Sequence, residues 1–151
     1  MMNIDFNQLY LTTDGRIGRA QFWIGVVILA VVAIVLSSII LLIFGPVSFA
    51  AKLIIFIIEL LLAYPCYALF AKRFQDRGRP ANFAAIPVGI YLVIALLTVL
   101  GLTGDTQPNT FGYILGIINL LVAIWIIVDL GILRGSVGPN EYGPDPVTAT
   151  M

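Results

Sequence analysis

The chain has no histidine, one cysteine and little charge: only 11% of its 151 residues are Asp, Glu, Lys or Arg. Without histidine, serine–histidine and cysteine–histidine nucleophilic pairs are excluded, together with the commonest metal ligand and the usual proton carrier near neutral pH. A lone Cys66 excludes an intrachain disulfide and any CxxC redox or zinc pattern. The formal net charge is +0, so no solvated basic face for nucleic acid is expected. No cofactor or metal is expected either. The scarcity of charge, against roughly a quarter of the residues in a typical soluble domain, argues against a water-soluble fold.

Apolar residues are abundant, at 60% of the chain. They fall into four runs, 22–44, 50–71, 84–102 and 111–133, each about long enough to cross a bilayer as helix. The expected fold class is all-α: a single polytopic membrane domain over 1–151, built as a four-transmembrane-helix bundle. The first run is longer than the roughly 7–15 residues of a signal-peptide core, and three more follow it, which argues against a cleavable leader. Gly45-Pro46 should join the first two helices as an antiparallel hairpin.

Seven of the eight basic residues lie on one side of these runs: Arg16, Arg19, Lys72, Arg73, Arg77, Arg79 and Arg134, with Lys52 alone on the other. Lysine and arginine mark cytoplasmic loops, so segments 1–21, 72–83 and 134–151 are expected inside, with both termini cytoplasmic. In the first segment Phe6, Leu9 and Tyr10 fall at helical spacing, which fits either an interfacial helix or a frayed tail. The last segment holds Gly135, Gly138, Pro139, Gly143, Pro144 and Pro146, a density that favours tight turns over helix or strand. Its turn chemistry should lie against the cytoplasmic ends of the helices.

Inside the apolar runs the sharpest anomaly is Glu59, which costs on the order of 2.5–3.5 kcal/mol on insertion scales and must face protein or water. Counting about 1.5 Å per residue places Ser37, Glu59, Thr98 and Asn119 at one depth, roughly 20 Å from the inner boundary. Such a layer could bind a proton, an ion or a small solute, or could simply fix packing by interhelical hydrogen bonds. Asp129 lies only about 7 Å from the inner end of its helix and is expected to pair with Arg73, Arg134 or an N-terminal arginine. Gly112 and Gly116 form a GxxxG spacing that allows close helix approach, within the bundle or in an oligomer. Pro65 removes a backbone donor and should kink the second helix.

The basic clusters read as topology signals and as contacts to anionic lipid head groups, each worth about 1 kcal/mol near the surface. A more specific expectation is that Arg16, Arg19, Arg73, Arg77 and Arg79 converge with Asp14, Asp76, Glu141 and Asp145 into one charge network. Three segments carry it: GRIGRAQFW at Gly15 to Trp23, KRFQDRGRP at Lys72 to Pro80, and VGPNEYGPDP at Val137 to Pro146. In order and spacing these blocks resemble the signatures of the bacterial inner-membrane family called domain of unknown function 805, the YhaH-like proteins. The matching positions are Arg16, Arg19, Arg73, Asp76, Asn140, Tyr142, Gly143 and Asp145. The resemblance implies an integral inner-membrane protein with cytoplasmic signature blocks, and no reaction, substrate or cofactor. Gln75 stands where that family usually has histidine, and Gln21 where it often has glutamate, so the blocks read as a structural or binding surface.

The function expected first is therefore a non-enzymatic membrane protein whose basic cytoplasmic face binds anionic lipid or a membrane or cytoplasmic protein partner. A small transporter or channel-like carrier centred on Glu59 is the alternative. An enzyme comes third, because Asp76 and Asp129 are conceivable acid–base groups with no nucleophile beside them.

Overall fold

A computed structural model describes residues 5–146 of the chain. Residues 1–4 and 147–151, the outer parts of the two expected terminal segments, lie outside the described residues. The architecture is all-helical: α1 (Phe6–Leu11), α2 (Arg19–Phe44), α3 (Phe49–Asp76), a 3₁₀ turn (Ala81–Ala84) leading into α4 (Ala85–Val99), and α5 (Thr110–Ile126) continuing into a π-helical segment (Ile127–Ile132). Four of these stretches, Arg19–Phe44, Phe49–Asp76, Ala81–Val99 and Thr110–Ile132, are long and apolar enough to cross a membrane. The protein is a multi-pass membrane protein. Its helices carry bare apolar surface, with Leu42 87% and Leu61 71% exposed, as suits contact with lipid.

Helix ends follow local chemistry. Asp5 caps α1 by accepting from the Asn7 and Gln8 amides. Gly45, at φ 78°, turns the chain out of α2 and donates its N–H to the Leu41 carbonyl. Gln21 Oε1 accepts from the Gly18 N–H at 3.2 Å, so glutamine at this position performs the backbone capping that a glutamate would.

Several features differ from the expected ones; helix α2, for one, begins at Arg19 and not at 22. Helix α3 runs through Pro65 to Asp76, so Lys72–Asp76, expected beyond the helix in the segment 72–83, are helical and buried; the charges are compatible with helix because they are partnered. Helix α4 ends at Val99, ahead of the expected 102, where Gly101 at φ 73° begins the turn. The C-terminal end of the fourth span widens, with the Leu133 N–H bonded to the Val128 carbonyl at 3.0 Å, an i→i−5 bond of the π type.

The buried core is concentrated at the end of the bundle where the terminal segments meet. Leu9, Ile17, Phe22, Leu69, Phe74 and Leu130 are all buried there. Helix α1 is docked on this core: Leu9 is 3% exposed, and the Tyr10 hydroxyl donates to the Gly25 carbonyl at 3.1 Å. Burial pushes the Tyr10 phenol up from its ordinary pKa, keeping it a neutral donor. Gly25 is small by necessity, since a Cβ there would approach the Leu69 side chain to 2.7 Å.

Candidate functional site: an interlocked cap and an intramembrane carboxylate

Helices ending together leave their last carbonyls unsatisfied and their negative dipole ends side by side. In this chain the basic residues answer that problem. The Lys72 ammonium donates to the Gln8, Leu9 and Thr12 carbonyls, sealing the end of α1. Arg73 Nε donates to the Leu130 carbonyl at 2.6 Å and Nη2 to the Leu133 carbonyl at 2.7 Å. Trp23 Nε1 reaches the Gly131 carbonyl at 3.2 Å and Arg19 Nη1 the Ile132 carbonyl at 3.1 Å. Four successive carbonyls at the end of the π segment are thus held by side chains from α2 and α3. A Cβ on Gly131 would come within 2.6 Å of the Trp23 ring, so the indole can cross the chain only at a glycine.

The centre of the cap is Asp76. Its carboxylate pairs with Arg16 at 3.0 Å and with Arg73; both arginine side chains are 1% exposed and that of Asp76 3%. Arg16 uses its remaining N–H groups on the tail, donating to Ser136 O at 2.7 Å, Gly138 O at 2.8 Å and Gly143 O at 3.2 Å. The tail in turn caps α3: the Ser136 N–H and Oγ both donate to the Asp76 carbonyl, at 2.8 and 3.1 Å, and Asn140 Nδ2 donates to the Gln75 carbonyl at 2.9 Å. Gly135 lies so close to the Asp76 carboxylate that a Cβ would overlap it.

The tail holds its own shape through Asn140 and Asp145. Asn140 and Gly143 exchange backbone hydrogen bonds at 3.0 and 3.1 Å, and Asp145 Oδ2 accepts from the Gly138 N–H at 3.1 Å. Tyr142 donates its backbone N–H to Asn140 Oδ1 at 2.9 Å; its phenol is raised above the ordinary pKa by a hydrogen bond with Glu141. Asp14 and Glu141 are exposed and form no ion pair among the described residues, so these two expected members stand apart from the network.

Asp129 is the second acid of the cap. It pairs with Arg77 at 3.0 Å and Arg79 at 2.6 Å, not with the expected Arg73, Arg134 or an N-terminal arginine. Arg73 is committed to carbonyls and Asp76. Arg77 Nη1 also donates to the Arg134 carbonyl at 2.8 Å, tying the loop after α3 to the start of the tail. Gln75, at the position where the resembled family usually has histidine, is 4% exposed, and its Oε1 has no hydrogen-bond partner among the described residues.

Within the membrane-crossing region Glu59 Oε1 accepts from the Tyr91 hydroxyl at 2.7 Å. Thr98 instead donates to the Ile94 carbonyl at 3.0 Å and accepts from Thr103 at 3.3 Å, and Ser37 makes no hydrogen bond to Glu59. The expected four-helix polar layer is therefore a pair between α3 and α4. Glu59, Tyr91, Cys66 and Asn119 border a cavity of about 350 Å³ lined by all four long helices. A second cavity of about 240 Å³, under the loop 103–108, includes Thr98, Gly112, Gly116 and Asn119. Of the GxxxG pair, Gly112 lies against the Thr103 carbonyl, while a Cβ on Gly116 would meet open space; the motif brings no second helix close within the chain. At this end, opposite the cap, Lys52 pairs with Asp105.

The sequence profile of the family described as protein of unknown function (DUF805) matches residues 10–144. The chain belongs to the DUF805 family. The matched range contains the cap from Tyr10 to Pro144, including all of the Arg16, Arg73 and Asp76 contacts. The chain is also similar to the uncharacterized protein YiiR of Escherichia coli strain K12, 29% identical over 139 residues that cover 91% of this chain and 88% of YiiR. YiiR of Escherichia coli O157:H7 matches to the same extent. No solved structure matches the chain significantly.

Three participants carry no distinctive signal in a DUF805 sequence read alone. Lys72 reads as one more topology charge, Tyr91 as an aromatic in an apolar run, and Ser136 as loop. Their roles depend on carbonyls and on a facing helix, and neither leaves a pattern in the residues themselves.

Proposed function

We propose that the protein is a non-enzymatic interaction protein of the bacterial inner membrane, with both termini cytoplasmic. The three signature blocks fix the helices from inside, and a small basic corner meets anionic lipid head groups. The one-sided arginines and lysine support the orientation. The observation that carries the reading is how few of those charges remain outward. Arg16, Lys72 and Arg73 are bound internally, and Arg77 and Arg79 pair with Asp129. Arg19 and Arg134 are exposed, and Arg19 reaches Ile132, two residues before Arg134. Trp23, 38% exposed, stands beside them as an interfacial aromatic. Two arginines and an indole at one corner suit a lipid phosphate.

At about 1 kcal/mol per arginine, Arg19→Ala with Arg134→Ala should weaken phosphatidylglycerol binding roughly thirtyfold. Native mass spectrometry of protein released from phosphatidylglycerol and phosphatidylcholine nanodiscs measures this. Equal phosphatidylglycerol retention by wild type and the double variant would sink the lipid reading. A protein partner at the same corner would instead be retained without anionic lipid. The cavity at Glu59 favours a second reading, in which a solute is carried between the helices.

A further inference from the structure

Glu59 is a carboxylate with one partner in a place where a carboxylate is costly. The Tyr91 hydroxyl occupies Oε1, and Oε2 has no hydrogen bond among the described residues. None of the residues lining the cavity is Lys or Arg. The basic residues nearest in sequence are committed elsewhere: Lys52 to Asp105 at the end opposite the cap, and Lys72 and Arg73 within the cap. The described residues therefore supply no counter-cation to this acid. Around it the walls are apolar, with Leu29, Phe70 and Val122 among them, and the volume lies within the range of about 300–1,000 Å³ usual for small-molecule sites.

We propose that this cavity binds a lipophilic ammonium compound, its protonated amine on the free oxygen of Glu59 and its hydrocarbon body along the apolar walls. The charge complement decides the class. A protonated amine donates to the vacant acceptor and neutralises the acid, whereas a fatty acid brings a second carboxylate and an alcohol brings no charge. Tyr91 holds Glu59 toward the cavity and, at 44% exposed, stands at its edge. Asn119 borders both this cavity and the one under the loop 103–108. The inference rests on the second reading in taking the cavity as a ligand site, and it is independent of the lipid corner at Arg19.

The test is isothermal titration of the full chain in phosphatidylcholine nanodiscs with three probes of equal chain length: dodecylammonium, dodecanol and dodecanoate. Dodecylammonium should bind saturably and more tightly than either of the others. Glu59→Gln should lose about ten- to hundredfold in amine affinity, as for removal of a charge-assisted hydrogen bond, while dodecanol binding stays unchanged. Ala123→Leu, which narrows the cavity from α5 and leaves Glu59 in place, should also weaken the amine and serves if Glu59→Gln does not fold. Equal binding of all three probes, or amine affinity unmoved by either variant, overturns the inference. Amine binding without gradient-driven uptake into vesicles would reject carriage and leave the binding site standing.

Discussion

Asp76→Asn is expected to destabilise the protein by about 3–5 kcal/mol, the usual cost of removing one partner from a buried charge cluster. The reason is specific to the position. Asp76 is the shared anion of Arg16 and Arg73, and both guanidiniums are almost fully withdrawn from solvent. Asparagine keeps the shape and leaves the main-chain carbonyl available to Ser136, so the loss measures charge and not packing. Two buried cations would then face one neutral amide. Reversible unfolding in mixed micelles, followed by tryptophan fluorescence, reads the change. Arg16→Met combined with Asp76→Asn should cost less than the sum of the single variants, by about 0.5–3 kcal/mol. A neutral Asp76→Asn would show that the cap is not held by its charges.

Arg73→Lys should be nearly as damaging as Arg73→Met, at about 3–5 kcal/mol. One guanidinium spans the Leu130 and Leu133 carbonyls, reaches Ile17 O at 3.4 Å and pairs with Asp76. A lysine ammonium is a compact point charge and cannot bridge sites in several directions. Each buried carbonyl left unsatisfied costs about 1–3 kcal/mol, so conserving the charge does not conserve the function. The same unfolding assay distinguishes the cases: recovery of wild-type stability by lysine would mean that Arg73 acts as a charge alone.

These two residues show what could be read in the sequence and what could not. The four apolar runs are visible because bilayer thickness imposes length and composition directly. That Arg16, Arg73 and Asp76 share one end follows from the order of the runs, since each span reverses the chain. Their convergence is expected from the charged blocks, but the individual bonds are not, because most of them end on main-chain carbonyls, which every residue carries. Asp129 is instructive. Its depth could be counted along a helix, but its partners depend on the π segment and on the loop after α3 that presents Arg77 and Arg79. Glu59 announces itself by cost, whereas Tyr91, its partner, is chemically ordinary in a membrane helix.

The basic blocks change meaning once their contacts are known. A cluster of arginines at a membrane surface suggests attraction to lipid, yet Arg73 is turned inward to close the end of the last helix, as cations near helix C-termini do, and Arg16 is turned inward to bind Asp76 and the tail carbonyls. The glycines and prolines of the tail serve the same end. They let residues 135–145 run close against Asp76, where Gly135 has no room for a side chain, and they keep the segment out of regular structure so that its polar groups can cap α3.

Hydrogen–deuterium exchange of residues 135–145 in the purified full chain tests the interlocked cap most directly. The Ser136, Gly138, Asn140, Tyr142 and Gly143 amides are all hydrogen-bonded, so they should exchange slowly despite the surrounding glycines and prolines. In Arg16→Met, which removes the contacts to the Ser136, Gly138 and Gly143 carbonyls, that protection should be lost across the whole segment. Exchange of these amides at unstructured rates in the wild type, or full protection persisting in Arg16→Met, would contradict the account.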